Sequence, residues 1–444
     1  MLKTFRKGGI HPPENKISAT SPIQVAPLPR QVMIPLGQHI GAPATPVVAK
    51  GDVVKVGTLI AKSSGFISAN VHSSVAGTVA KLDEITDASG FRKPVIVIDV
   101  TPEEEWEEGI DLSDELKKEI GLSASEIVDR IAACGIVGMG GATFPTNVKL
   151  LPPKDATPEL IIINAVECEP YLTADHRLML EHPEEILVGV QILMKAAGVS
   201  RAVIGIENNK KDAIQLLQSL SVNYLGIDIM PLKVKYPQGG EKQLIDAVTR
   251  KMVASGALPI SVGAIVQNVG TAYAVYEAVQ KNKPLVERVV TVTGKDVRNP
   301  INVLSRIGTP ISELIMLAGD MPESTAKVVS GGPMMGRSLS SIEAPVTKGT
   351  SGVLLLTGKD TRRKPMRNCI RCAKCVSVCP MGLNPAFLMR DVLYKAWDSA
   401  EEGHVFDCIE CGSCSYTCPA NRPLLDHIRL GKQTVMGIIR SRKS

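Results

Sequence analysis

Aromatic residues are scarce in this chain. They make up 3% of its 444 residues, with only two tryptophans, which excludes the stacking platforms of single-strand nucleic-acid binders and leaves small aliphatic cores. No run of about eighteen uncharged apolar residues occurs, so no segment reads as a membrane span. Charge of one sign is also missing: 50 Lys and Arg against 45 Asp and Glu leave +5, too little for a nucleic-acid footprint. The opening Met-Leu-Lys-Thr-Phe-Arg-Lys-Gly-Gly has no apolar signal-peptide core, so the expectation is a reducing, cytoplasmic setting. With 44% hydrophobic residues there is ample material for about three or four domains.

Cysteine, in contrast, is concentrated. The run Cys-x-x-Cys-x-x-Cys-x-x-x-Cys-Pro occurs twice, at Cys369, Cys372, Cys375, Cys379 and at Cys408, Cys411, Cys414, Cys418. Four thiolates so close suit a cubane [4Fe–4S] cluster, and paired runs usually exchange their fourth cysteine. One cluster is therefore expected on Cys369, Cys372, Cys375 and Cys418, the other on Cys408, Cys411, Cys414 and Cys379. Structural zinc wants two ligand pairs with a longer gap between them, and disulfides want an oxidising compartment. Single-electron transfer is the implied chemistry. Cys134 and Cys168 lie outside the runs and read as packing thiols. Residues 359 to 374 hold seven basic residues against one acid, which either tunes the adjacent cluster, meets an acidic partner or is a solvated run.

Along the chain, residues 1 to 30 are Pro-rich and too poor in apolar residues to fold alone. Their most specific element is Gly8-Gly-Ile-His-Pro-Pro-Glu-Asn-Lys16, expected to lie across another domain. His11 reads as structural. From 31 to about 100, period-two runs at Gln31, Val53, Val71 and Pro94 read as a small β-sandwich and resemble a biotinyl/lipoyl-like barrel-sandwich. Its turn Ser63-Ser-Gly-Phe66 offers no lysine for a covalent group, which suggests a docking module. The acidic stretch 101 to 122 reads as a solvated linker or helix face. Ser123 and Glu126 form a capping box ahead of an apolar stripe at Ile127, Val128 and Ile131. Strands at Leu160–Asn164, Ala202–Ile206 and Ile227–Met230 then alternate with helical patterns at 184–197, 210–219 and 241–252, the signature of a parallel α/β sheet. Residues 288 to 345 return to short strands, read as a β-grasp. After each cysteine run a helix starts at an Asn/Pro pair, Asn384-Pro385 and Asn421 with Pro423, the second helix expected to reach Gly431. The C-terminal part is an internal duplication.

A second site begins at Gly138, Gly140 and Gly141, with Phe144 and Lys149 behind them. Such a loop lets backbone approach a planar or phosphorylated ligand, although a glycine turn alone is as often only a turn. Asn164-Ala-Val-Glu167-Cys-Glu169-Pro follows a strand directly, where α/β sheets place binding groups; Gly239-Gly240-Glu241-Lys242 and Asn268-Val-Gly-Thr271 start two further helices. Together these resemble the flavin- and NADH-binding component of respiratory complex I, whose family carries Gly-Arg-Gly-Gly-Ala-Gly-Phe-Pro, Asn-Ala-Asp-Glu-x-Glu-Pro, Gly-Glu-Glu and Asn-Val-Glu-Thr elements. The resemblance implies that Gly138, Gly140, Gly141, Lys149, Asn164, Glu167, Gly240, Glu241, Asn268 and Thr271 hold FMN, and that Phe144 and Glu169 face NAD(H). Met139, Val166 and Lys242 depart from that pattern, and the departures bear on the dinucleotide contacts.

With the Gly8–Lys16 element, Tyr236-Pro-Gln-Gly-Gly-Glu-Lys242 and the paired cysteine runs, the whole chain resembles the RnfC family, a component of the Rnf ion-translocating oxidoreductase complexes. That implies a multidomain α/β chain: an extended segment 1–30, a barrel-sandwich-like domain 31–105, a Rossmann-like FMN/NADH domain 123–285, an SLBB-like β-grasp 286–350, a helical ferredoxin-like two-cluster domain 360–432 and a basic tail 433–444. It further implies part of a translocase, peripheral on the cytoplasmic face of the bacterial membrane, that exchanges electrons between NAD(H) and other membrane and iron–sulfur subunits, and through them ferredoxin, coupled to Na+ or H+ movement. A cobalamin reductase of similar architecture and a non-catalytic relay scaffold are the competing readings.

Overall fold

The computed structural model describes residues 2–87, 90–153 and 155–443. The first β unit is a sandwich of a four-stranded sheet, in the order Gln31–Pro35, Arg92–Val100, Gly77–Thr86, Val53–Val54, and a three-stranded sheet, Thr45–Pro46, Leu59–Lys62, Val71–His72. Alternation places Val32, Ile34, Ile96 and Ile98 inward, each almost completely buried, because successive strand residues face opposite sides of a sheet.

The acidic stretch 101–122 is not a free linker. Val56 pairs with Trp106, Leu116, Ile120 and Leu122 pack against the main core, and Tyr276 and Gln280 bond its backbone. Its few aliphatic residues recur often enough to pin it along the helix Val269–Lys281, a pairing that charge count alone conceals.

The capping box then forms as expected: Ser123 N–H donates to Glu126 at 2.7 Å and Glu126 N–H donates back to the Ser123 hydroxyl at 3.4 Å, opening the helix Ala124–Ala133 with Ile127, Val128 and Ile131 buried. Behind it stands a four-stranded, all-parallel sheet ordered Ile227–Leu232, Ala202–Glu207, Leu160–Asn164, Ala264–Asn268. Helices Pro183–Ala197, Lys211–Ser221, Glu241–Thr249 and Val269–Lys281 connect and flank these strands. The fourth strand was hidden in the sequence because it runs unbroken into the helix capped by Asn268.

The six-stranded β-grasp sheet is mixed, with Glu287–Thr293 and Gly352–Thr357 parallel at its centre and the helix Ile311–Leu317 buried against it. Its edge strand, Ile23–Val25, comes from the N-terminal segment and pairs in parallel with Ile301–Arg306.

In the C-terminal helical unit, positive φ recurs at equivalent places in the two cysteine runs, at Arg371 and Ala373 and at Glu410 and Gly412, the backbone trace of the duplication. The last helix, Leu424–Lys443, continues through Gly431. That glycine is a contact rather than a stop: a Cβ there would lie 2.5 Å from Val392 Cγ2, so it permits close crossing with the helix Pro385–Leu393. The expected basic tail is thus helical. Val435 is buried and Arg442 pairs with Asp398 and Glu401, while the Lys443 side chain and Ser444 fall outside the described residues.

Candidate functional site

The glycine loop leaves its helix and returns on itself. Val137 pairs with Pro145 and Gly138 N–H donates to the Phe144 carbonyl at 2.8 Å. Met139 is held from both sides: its N–H donates to Thr271 Oγ1 at 2.9 Å and its carbonyl accepts from Arg288 at 2.9 Å. At Gly140 a Cβ would fall 2.9 Å from Asn268, whereas at Gly141 it would project into open space. The turn is therefore seated on the Asn268 helix start with its outer face bare.

Three other elements meet it at the C-terminal edge of the parallel sheet. Asn268 caps its helix, accepting from Gly270 N–H at 2.9 Å, and its amide donates to Asn164 O at 3.3 Å and Asp175 at 2.7 Å. Asn164 in turn donates to Gly239 O at 2.8 Å. Lys149 pairs with Glu241 at 2.8 Å and donates to Val266 O at 3.0 Å. The structure thus brings Gly138, Gly140, Gly141, Lys149, Asn164, Gly240, Glu241, Asn268 and Thr271 together, with Phe144 half-buried on the returning arm.

Glu167 and Glu169 point elsewhere. The Glu167 carboxylate accepts from Asp175 N–H at 2.8 Å and His176 N–H at 3.4 Å, capping the helix Ala174–Glu181. Glu169, expected at the dinucleotide, has its carboxylate enclosed and bonded to Met334 N–H and Met335 N–H of the β-grasp unit at 3.1 and 2.7 Å. Burial pushes its carboxyl up to about 7. Burial raises Asp175 likewise to about 6 and Glu207 to about 7, so buried acids crowd beneath the strand ends. The cations opposing them were invisible in the sequence. Lys16 caps the carbonyls of Glu167, Glu169 and Leu172, Lys210 donates to Val166 O, and Arg288 reaches in from the β-grasp sheet. Only Lys16 carried a signal, as the end of the Gly8–Lys16 element.

Four of the eight run cysteines meet in one place. Cys379, Cys408, Cys411 and Cys414 line one apolar cavity with Met381, Leu383, Ile409 and Ile428, so the last cysteine of the first run joins three of the second. Burial raises the Cys408 thiol to about 11 and Cys414 to about 12. Cys375 and Cys418 pack against Met389, Leu424 and Cys414, next to the first cavity, and Cys369 and Cys372 lie on the exposed run 362–374. Arg367 N–H donates to Ala420 O at 2.9 Å, holding that run to the end of the second. Among the described residues no three His, Cys, Asp or Glu side chains converge tightly enough for a single metal ion, while four cysteines around a cavity fit a larger cubane. Cys134 and Cys168 stay outside both sets; Cys134 is buried, and the Cys168 sulfur accepts from Gly239 N–H at 3.3 Å.

The glycine loop passes a similar test for a flat, phosphorylated ligand such as FMN. The bare face of Gly141 gives a flat ligand room, and Gln243 and Gln267, beside Gly240 and Asn268, keep buried side-chain atoms without a protein partner, as a polar ligand would require.

The Nuo51 FMN-binding domain model matches residues 131–277, the RnfC barrel sandwich hybrid domain residues 3–103, the SLBB domain residues 289–338 and the 4Fe-4S dicluster domain residues 363–419. The C subunit of the proton-translocating ferredoxin:NAD(+) oxidoreductase complex of Clostridium ljungdahlii is 46% identical, covering 97% of this chain and 93% of that one. The Na(+)-translocating counterpart of Acetobacterium woodii is 43% identical over 97% of both, and the C subunit of the ion-translocating oxidoreductase complex of Rhodobacter capsulatus is 40% identical over 97% and 83%. A solved NAD+-reducing [NiFe]-hydrogenase shares the fold, with TM-score 0.51 at 17% identity over 71% of this chain and 63% of that one. With its domains in this order and this identity over nearly its full length, the chain belongs to the RnfC family of the ion-translocating oxidoreductase complexes.

Proposed function

We propose that this chain is the peripheral subunit through which a membrane-bound ferredoxin:NAD+ oxidoreductase complex exchanges electrons with NAD(H), the complex coupling that exchange to Na+ or H+ translocation. FMN, when bound, supplies the conversion between two-electron hydride exchange and single-electron transfer. Gly138, Gly140, Gly141, Lys149, Asn164, Gly240, Glu241, Asn268 and Thr271 would hold it, the glycines by close backbone approach and Lys149 by charge, and Phe144 would border the dinucleotide; Glu167 and Glu169, expected there from the sequence, instead brace the helix Ala174–Glu181 and the Met334–Met335 loop. No side chain need act as a covalent catalyst; these residues bind, orient and exclude water.

Cys408, Cys411, Cys414 and Cys379 carry an inner [4Fe–4S] cluster and Cys369, Cys372, Cys375 and Cys418 an outer one. The observation that carries this reading is the seam between the halves, where Tyr236, three residues before Gly239, donates to the Cys411 carbonyl at 2.9 Å. The inner set therefore lies between the flavin half and the outer set. The outer set opens on the exposed basic run 362–374, which suits docking of another member of the complex. Among the described residues no helix is long and apolar enough to cross a membrane, in keeping with peripheral attachment at the cytoplasmic face through partner subunits.

Anaerobic addition of NADH to the reconstituted chain tests the proposal. Bleaching of the cluster absorbance that requires bound flavin is the expected result; flavin-loaded protein whose clusters stay oxidised would leave a relay scaffold as the better account.

A further inference from the structure

The Gly8–Lys16 element touches both halves. At Gly8, with φ +69°, a Cβ would lie 2.6 Å from the Cys379 carbonyl carbon and oxygen and from Val378 O. Gly9 N–H donates to Val378 O at 2.9 Å. The segment is thus laid directly on the backbone of an inner-set cysteine, at a spacing that only glycine allows. Ile10 and Tyr236 then exchange both backbone hydrogen bonds, at 2.8 and 2.9 Å, and their side chains pack on Cys411. Further on, Tyr171 N–H donates to Glu14 O at 2.9 Å.

Lys16 ends the element inside the flavin half. Its ammonium donates to Glu167 O at 2.8 Å, Glu169 O at 2.9 Å and Leu172 O at 2.6 Å. Three donors meet three acceptors. The turn they close holds two non-glycine residues at positive φ, Glu167 at +46° and Tyr171 at +72°, a conformation that persists only where the surroundings impose it. From this turn Glu167 caps the helix Ala174–Glu181, and Glu169 binds the Met334–Met335 amides.

We propose that Gly8–Lys16 is a positioning strap that fixes the spacing between the flavin half and the inner cysteine set, anchored by Gly8 and Gly9 on one side and by Lys16 on the other. The proposal rests on the functional reading above. Electron exchange between two bound groups falls off exponentially with their separation, so a change in the spacing of the two halves changes its rate. A strap bonded to both partners supplies that constraint through the backbone and packing of the residues around each group. Lys16 and Gly8 are therefore positioning residues.

The test uses the full, reconstituted chain with Lys16→Met, which keeps an unbranched side chain but removes all three donors, and Gly8→Ala as an independent lesion at the other anchor. His11→Ala, at an exposed residue of the same segment, is the control. Three quantities are read: flavin and iron content, amide hydrogen exchange of residues 8–14 and 167–172, and the separate rates at which NADH bleaches flavin and clusters in stopped flow. Both lesions are expected to leave cofactor content and flavin bleaching within about twofold of wild type, to speed exchange in the two segments about tenfold or more, and to slow cluster bleaching at least about tenfold. Cluster bleaching at the wild-type rate despite faster exchange would overturn the proposal, as would unaltered exchange or loss of flavin or iron, which would make the segment a cofactor-binding element. If NADH failed to bleach flavin even in the wild-type chain, the functional reading would fall, and the exchange measurement would still decide whether the strap joins the two halves.

Discussion

Tyr236 gives its hydroxyl hydrogen to the main-chain oxygen of Cys411 across 2.9 Å, and the same hydroxyl lies 3.5 Å from Glu169 Oε1. One buried phenol thereby joins three units: the α/β sheet that carries it, the inner cysteine set, and, through Glu169, the β-grasp loop at Met334 and Met335. Burial and the Glu169 charge push its own ionisation far above the usual range, so it remains a neutral donor at any working pH.

The crossed cysteine sets give the first prediction. Cys379→Ser should remove the inner cluster and Cys418→Ser the outer one, each variant retaining about four of about eight irons after anaerobic reconstitution. Iron and sulfide assays with electron paramagnetic resonance distinguish the two spectra. Loss of the same signal in both variants would contradict the crossing.

Gly140→Val should abolish flavin binding while leaving iron content unchanged. Any Cβ at that position meets Asn268 at 2.9 Å, forcing the turn off the helix start on which it sits, in a part of the chain remote in sequence from every cysteine of the two sets. Fluorimetric flavin release after denaturation measures the effect, and normal occupancy would place the flavin elsewhere.

Glu169→Gln should flatten the pH dependence of stability on the acid side. Burial raises the folded carboxyl to about 7, above its ordinary value of about 4.5 in the unfolded chain, so between those values the folded state holds a proton that the unfolded state has lost. Stability from this group is present below about pH 4.5 and declines as pH rises through about 7, by a few kcal/mol at most. Thermal midpoints of wild type and variant at about pH 5.5 and about pH 7.5 check it: the decline between them should be smaller in Glu169→Gln.

The proposed peripheral attachment to a membrane complex, with no spanning helix among the described residues, predicts sedimentation with native membranes and release by high salt or chaotropes. Two charges of the basic end are already engaged. Lys432 is engaged by Glu410 and the Cys408 carbonyl and Arg442 by Asp398 and Glu401, and paired charges contribute less attraction to an anionic surface than the roughly 1 kcal/mol of a free one. Charge removal at Arg442 should therefore leave membrane retention nearly unchanged in fractionation, whereas loss of partner subunits should release the chain.

Short-range chemistry was legible in the residues alone. The cysteine spacing, the Ser123–Glu126 box, the Leu160–Asn164 and Ala202–Glu207 strands and the glycine loop all depend on neighbours within about a dozen positions, where local sterics and hydrogen bonding decide the outcome. Partnerships across hundreds of positions were not legible. Lys16 reads only as the end of a specific N-terminal element until folding sets it against three carbonyls some 150 residues away; Ile23–Val25 is an apolar triplet until the strand Ile301–Arg306 offers its edge; Gly431 looks like a helix stop until Val392 is seen beside it. The residues by themselves determined which groups this protein holds for chemistry and the order of its domains. Only the tertiary structure decided which cysteine set faces the flavin half and what fixes it there, because those relations arise when separate units bury surface against one another and satisfy each other's donors and acceptors, conditions that no stretch of chain meets alone.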